Sequence, residues 1–263
     1  EKAMFNGLRI GVTGMQTSQK VMDNVADQIA NSTTGGYKKK EVRFGDLLRN
    51  EISRSHAAVS ENAEGASVGI GSRALVSKTN FTQGVLKPSD SHYHMAVEGS
   101  GFFGVMTGTG ELLLTRNGAF SLSADGALTD GEGNGLVYES YVPAVSIGSY
   151  EGVSISENGV ISGRNDAGEM MELGRVALFQ PSAEDALISL GENKYLLPEG
   201  QEMVNSIDDA QGFGIIRHKH LEESNVDIAE SMTEMILTQR AYQLNAKSIT
   251  TADEMLEVIN TII

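Results

Sequence analysis

The final stretch of about 39 residues, roughly 58 Å long if helical, constrains this chain more than any other. From Asn225 to Ile263 there is no glycine and no proline, and Ile228, Met235, Tyr242, Ile249, Leu256 and Ile263 recur every seven residues. Apolar side chains at that period lie along one stripe of an α-helix, as in a coiled-coil seam. Met232, Ala246 and Ile259 widen the stripe. Ser224 or Asn225 can cap the start, and Asp227 favours the positive end of the helix dipole.

The other end carries the same signal. Leu8, Met15, Met22 and Ile29 also recur every seven residues, with Phe5, Val12, Val25 and Ala26 in the same stripe. Gly7, Gly11 and Gly14 weaken this helix, spanning 6–31, by roughly 1 kcal/mol each relative to alanine. Alone it is marginal in water. It stops in "ANSTTGGYKKKEVRF", where Asn31, Gly35 and Gly36 accept the left-handed backbone that ends helices. The turn from helix to β structure is assigned to Asn31, Thr34, Gly35, Gly36, Tyr37 and Lys38. Lys38, Lys39 and Lys40 suit the negative helix end or an acidic neighbour; equally, they suit a solvated connector.

Between the ends, short apolar or alternating runs are separated by Asn-Gly, Asp-Gly and Gly-rich turns. Asn117-Gly118, Asp125-Gly126 and Asn158-Gly159 are hairpin signals. "SAEDALISL" predicts a short helical turn capped by Ser182. The fold class is therefore α+β: terminal helices paired as a coiled coil around a central, mostly antiparallel β-domain. The expected division is terminal helices at 1–33 and 222–263, an extended connector at 34–67 and a β-rich domain at 68–221.

A compact domain of about 150 residues has a diameter of only some 40 Å, so the C-terminal helix overhangs it. About ten stripe side chains at roughly 1.5–3 kcal/mol each give an upper bound of 15–30 kcal/mol of burial. Part of that burial must come from other copies or another protein. The assembly interface is assigned to Leu8, Met15, Met22, Ile29, Ile228, Met235, Tyr242, Ile249, Leu256 and Ile263. The chain is a self-polymerising subunit or a binding module on a coiled-coil stalk.

A net charge of −15 argues against nucleic acid or an anionic membrane as partner. The absence of cysteine removes disulfides, thiolate metal sites and cysteine nucleophiles. No run of eighteen apolar residues spans a bilayer. "EKAMFNGLRIGVTGMQ" has no continuous apolar core and is not read as a secretory signal.

Motifs that imitate chemistry have simpler readings. "DGEGNGLVYESY" follows a calcium loop through Asp130, Glu132, Asn134 and Gly135, but Tyr141 replaces the essential final Glu, so it reads as a β-turn. "GIGSRA" imitates a dinucleotide loop without its βαβ unit and reads as a turn into a strand. His92/His94 and His218/His220 form two His-x-His pairs with metal-compatible spacing, read as surface or interface histidines. In Gln239-Arg240-Ala241-Tyr242 the Tyr lies in the seam, while Arg240 bridges to a neighbouring subunit or is solvated. Met15, Met22, Met232, Met235 and Met255 read as adaptable core. No catalytic constellation, cofactor or metal site is expected.

"TGMQTSQKVMDNVADQIANSTTGGYKKKEVRFGDLL", "VEGSGFFGVM" with "LTRNGAFSLSADGALTDGEG", and "LEESNVDIAESMTEMILTQRAYQLNAKSITTADEMLEVIN" together resemble the N-terminal, central and C-terminal signatures of the bacterial flagellar rod and hook protein family. The likeness spans nearly the whole chain. Tyr37 stands where the family more often has Phe, and His92 and His94 where it has Asn or Asp. Length and the connector favour the distal rod members; proximal rod members are the runner-up, and hook proteins are longer. The resemblance implies a non-enzymatic subunit that stacks helically into a hollow, torque-bearing drive shaft, its helices lining the bore and its β-domain outside. It implies as partners further copies of itself, other rod proteins, the hook protein, surrounding bushing rings and the flagellar type III export apparatus. It places the chain in the basal body, outside the cytoplasmic membrane, without membrane insertion.

Overall fold

In a computed structural model, residues 2–46, 49–51, 67–69, 72–141, 147–165, 167–209 and 211–262 are described. The two periodic ends are helices: α1 spans Lys2–Ala30 and α2 spans Ile228–Ile262. Everything regular between them is strand or short 3-10 turn, so the class is α+β. The chain divides into two compact units. A helical unit comprises Glu1–Ala30, Lys40–Lys78 and Asp227–Ile263; a β unit comprises Asn31–Lys39 and Thr79–Val226.

Within the helical unit α1 and α2 pack antiparallel. A Cβ on Gly11 would stand 2.8 Å from Ile249 Cγ1, and one on Gly14 2.7 Å from Asn245 Nδ2. The two glycines that weaken α1 therefore let α2 approach its backbone. Further along, Val21, Val25 and Ala74 are buried with Ile29, Val42 and Met235 around them. The buried positions on α1 are Gly11, Thr17, Ser18, Val21, Val25 and Gln28; Gly11, Ser18 and Val25, and likewise Val21 and Gln28, keep the seven-residue spacing but on a row beside the predicted Leu8–Met15–Met22–Ile29 stripe. Thr17 donates to the Ser72 carbonyl (3.1 Å), and Gln28 Nε2 and the neighbouring Asn24 Nδ2 both donate to the Lys40 carbonyl (2.8 and 2.9 Å), while Gln28 Oε1 is buried without a hydrogen-bond partner among the described residues. Strands Lys40–Asp46 and Ser72–Thr79 pair, as do Arg49–Glu51 and Ser67–Gly69. Much of the expected connector, and Ile70 and Gly71 of the dinucleotide-like motif, lie outside the described residues.

Asp227 is the actual cap of α2. Its Oδ1 accepts the Ala229 and Glu230 N–H groups at 2.8 and 3.1 Å. Ser224 and Asn225 lie upstream of it, and the Asn225 side chain is occupied elsewhere, as described below.

The β unit is built on a nine-stranded sheet ordered Ile188–Gly191, Lys194–Leu196, Leu112–Thr115, Phe102–Met106, Gly135–Leu136, Leu128–Thr129, Ser121–Leu122, with Leu178–Pro181 and Met203–Asn205 branching from Phe102–Met106. A four-stranded sheet runs Tyr138–Ser140, Met170–Val176, Val160–Arg164, Glu151–Ile155. Phe102–Met106 is central, and its first four residues are buried on both faces, hence its unbroken apolar sequence. Gly104 is needed there because a Cβ would sit 2.3 Å from the Phe179 ring. Met95, Val97, Phe103, Phe120, Leu128 and Ile161 form the heart of the core.

Two of the three hairpin signals join paired strands: Asp125-Gly126 between Ser121–Leu122 and Leu128–Thr129, and Asn158-Gly159 between Glu151–Ile155 and Val160–Arg164. Asn117-Gly118 does not. There the chain passes so close to its neighbour that a Cβ on Gly118 would lie 1.5 Å from the Met95 carbonyl oxygen. Glycine is required for approach at that point rather than for reversal. The predicted turn near Ser182 is a 3-10 helix, Glu184–Ala186, preceded by Ala183 without a side-chain cap.

Candidate functional site

Two features stand out, one in each unit. In the helical unit it is the surface of α2. The inner row facing α1 is Ser231, Met235, Thr238, Tyr242, Asn245, Ile249 and Ala252, each buried or half-buried, at 4-3 spacing. The assigned seam residues Met235, Tyr242 and Ile249 are thus half covered within one chain. So are Leu8, Met15, Met22 and Ile29 on α1, whereas Ile228 is exposed. The Leu256 side chain and Ile263 lie outside the described residues.

A second apolar row was not singled out by periodicity. Leu237 and Leu244 are 65% and 70% exposed, and Val258, two heptads beyond Leu244 in the same row, is 58% exposed. Met232, Ile236 and Met255 are exposed as well. Leu237 and Leu244 are seven residues apart, so they fall on one stripe, on the side of α2 away from the Met235–Tyr242–Ile249 row. Helix α2 is therefore apolar on two faces, only one of which is covered among the described residues. Arg240, also exposed, donates to Gln243 on its own helix (3.2 Å).

In the β unit the feature is a buried polar cluster formed by the residues that follow α1 and precede α2 in sequence. Thr34 and Tyr37 N–H groups close the turn onto the Asn31 and Thr34 carbonyls. Of the proposed left-handed residues only Gly36 has positive φ, +69°, and a Cβ there would stand 2.6 Å from the Asn117 nitrogen. Its N–H donates to the Glu222 carbonyl. Lys38 and Glu222 form an ion pair at 2.6 Å with both side chains fully buried. Lys38 also donates to the Thr82 carbonyl, and the Gly84 N–H donates to Glu222 Oε1. Arg116, buried, approaches Glu222 Oε2 at 3.8 Å, donates to the Gly99 carbonyl and lies 4.9 Å over the Phe102 ring.

Two cations therefore share one buried carboxylate. Burial pulls the Lys38 ammonium below its usual value, opposed by Glu222, and does the same to Arg116. Burial raises the phenol of Tyr195, which packs against Phe81 and Phe102, to about 12. Asn225 completes the cluster. Its Oδ1 accepts the Lys39 N–H (2.7 Å), and its Nδ2 donates to the Asn80 and Thr82 carbonyls.

The remaining motifs have local partners. Asp130 accepts the Glu132 and Asn134 N–H groups in the turn joining Leu128–Thr129 to Gly135–Leu136, and the Lys194 ammonium lies 3.0 Å from its carboxylate. Pairing of Met95–Glu98 with Ile215–His218 brings both His-x-His pairs to one end of that ladder. His218 meets the His92 carbonyl, His220 the His218 carbonyl and His94 the Ser89 hydroxyl. Among the described residues, no three His, Cys, Asp or Glu side chains are grouped to hold a metal ion. Among them, too, no helix is long and apolar enough to cross a membrane.

Residues 217–262 match the family described as flagellar basal body rod FlgEFG protein C-terminal, and residues 96–163 match the flagellar hook protein FlgE/F/G D1 domain. The whole chain is similar to curated proteins named flagellar basal-body rod protein FlgG. It is 31% identical to that of Agrobacterium fabrum, covering 97% of this chain and 98% of the relative. It is 32% identical to that of Buchnera aphidicola subsp. Schizaphis graminum (98% and 99%) and 31% to that of Borreliella burgdorferi (98% and 99%). The matched C-terminal segment contains α2 with both its apolar rows.

Proposed function

The chain belongs to the bacterial flagellar basal-body rod protein family, and from that membership we propose that it is a structural subunit of the distal rod. Copies polymerise helically into a hollow shaft that carries torque from motor to hook. The observation that carries the reading is the bare second row on α2, Leu237, Leu244 and Val258 with Met232, Ile236 and Met255.

Six such side chains at roughly 1.5–3 kcal/mol each offer an upper bound of about 9–18 kcal/mol. Association costs about 4–15 kcal/mol per subunit. The two ranges overlap, so one contact alone is marginal and a subunit held by several neighbours is stable. That balance suits cooperative growth from an existing end. In this reading α1 and α2 form the coiled-coil inner layer, the β-rich domain lies outside and the segment between them is specific to the rod. Leu8, Met15, Met22, Ile29 and the Met235–Tyr242–Ile249 row set helix pairing; the outer row of α2 contacts neighbouring copies.

The protein acts without catalysis or cofactor. It is exported by the flagellar type III apparatus, lies outside the cytoplasmic membrane, and meets other rod proteins, the hook protein and any surrounding rings. Leu237→Asp/Leu244→Asp is the direct test, read by sedimentation and electron microscopy at rising concentration. Wild type is expected to form filaments; the variant is expected to stay monomeric with the β unit folded. Filaments of normal diameter from the variant would overturn the assignment.

A further inference from the structure

The nine-stranded sheet ends on the strand Ile188–Gly191. Among the described residues it pairs only with Lys194–Leu196, so its outer edge presents unpaired backbone groups. All four of its residues are exposed. Ile188 and Leu190 stand two apart and are 49% and 54% exposed. Edges of this kind are ordinarily guarded by lysine or proline. From Ser182 to Asn193 there is no Lys, Arg or Pro. The one irregularity, a register shift between Ser189 and Gly191, falls at Leu190; both apolar side chains stay exposed.

The surroundings are acidic. Exposed Asp185 and Glu192 bracket the strand. At the hairpin end Asp130, Glu132 and Glu192 all approach the single ammonium of Lys194. Two negative charges are left in excess there. The crowding is felt: the hydrogen bond and charge of Glu132 push the Glu192 carboxyl above its usual range. An incoming cation relieves that repulsion; an incoming carboxylate worsens it.

We propose that Ile188–Gly191 is a docking edge for a partner other than this chain: an extended basic segment with alternating apolar side chains. The segment adds as one more strand, covers Ile188 and Leu190, and sets lysine or arginine against Asp185 and Glu192. A second copy of a chain with net charge −15 is the poorer occupant. The inference stands apart from polymerisation through α2.

The probe is a synthetic peptide of alternating lysine and valine, compared with its glutamate–valine counterpart, on the full chain at low salt. The readout is hydrogen exchange of those amides in residues 188–191 that do not bond to Lys194–Leu196. The lysine peptide is expected to slow their exchange at least tenfold and to leave the strand Glu151–Ile155, another sheet edge, unchanged. Ile188→Gln/Leu190→Gln is expected to abolish the slowing. Asp185→Asn/Glu192→Gln is expected to weaken binding roughly threefold to tenfold, as two exposed ion pairs should. The proposal is overturned by no slowing, by equal slowing with the glutamate peptide, or by equal slowing at Glu151–Ile155. Protection without peptide overturns it too. If that protection rises with protein concentration the occupant is a second copy; if it does not, the chain covers its own edge. Filament formation by Ile188→Gln/Leu190→Gln is expected at the wild-type level; its loss would make this edge a contact between copies and overturn the proposal.

Discussion

The two units of this chain hide apolar surface to very different degrees. In the β unit Met95, Phe102, Phe103, Val105 and Leu128 have no exposure at all. In the helical unit the buried apolar cluster is Val21, Val25 and Ala74, while Leu237, Leu244 and Val258 stand in solvent. Hydrophobic burial is the main favourable term in folding. The β unit has an extensive buried core of its own, although Val85, Met170, Ile188 and Leu190 remain exposed on its surface. The helical unit leaves an apolar row of α2 exposed, and the proposed assembly would cover it. The contrast separates stability from function: substitutions in one unit should act on unfolding, and those on the outer face of α2 on polymerisation.

The sharpest way to break the contrast is to strike the buried pair. Glu222→Gln removes the buried carboxylate that Lys38 and Arg116 share and should cost the β unit about 3–5 kcal/mol. Urea denaturation followed by β-unit signals checks it. A cost below 1 kcal/mol would mean that water reaches the cluster.

Alkaline titration gives the next effect. The Tyr195 phenol ionises near pH 10 when unfolded and at about 12 when folded. Between those values the unfolded chain binds fewer protons, so stability falls as pH rises. Tyr195's contribution is fully present below pH 10 and is lost through pH 12, by up to about 2–3 kcal/mol. The difference between the denaturant midpoints of wild type and Tyr195→Phe should shrink or change sign over that window, because only wild type loses the Tyr195 contribution.

A smaller effect belongs to the helical unit. Gly11→Val puts a Cβ against Ile249 and should loosen helix pairing by about 1–3 kcal/mol. Helix content should fall, with the β unit's melting unchanged. Smallest of all is Gly7→Ala. Nothing lies within 4 Å of a Cβ there, so the substitution should stabilise α1 by about 0.5–1 kcal/mol. If it instead impairs filament growth, a neighbouring copy packs against Gly7.

Much of this was readable in residue order, and the failures have physical reasons. Helix existence followed from period, and the α+β class from turn residues. The seven-residue stripe on α2 marked the row that α1 partly covers. The row free for neighbours was obscured because Leu237, Leu244 and Val258 are interrupted by Thr251. Polar Ser231, Thr238 and Asn245 occupy the inner face, which no apolar count could find. Asn117-Gly118 reads as a reversal because close backbone approach and tight turning both require glycine. The Lys38–Glu222 pair joins residues 184 apart in sequence, and no local pattern reports a partner at that distance.

Asn225 deserves a mechanical reading. Its side-chain amide, just before the chain enters the second helix, holds both the segment leaving the first, at Lys39, and the segment at Asn80 and Thr82. Tension applied through either helix therefore reaches this amide together with the Lys38–Glu222 pair and the Gly36–Glu222 backbone bond. In a shaft built of such subunits, the stretches flanking the two helices of each chain would be fastened to each other inside the β unit.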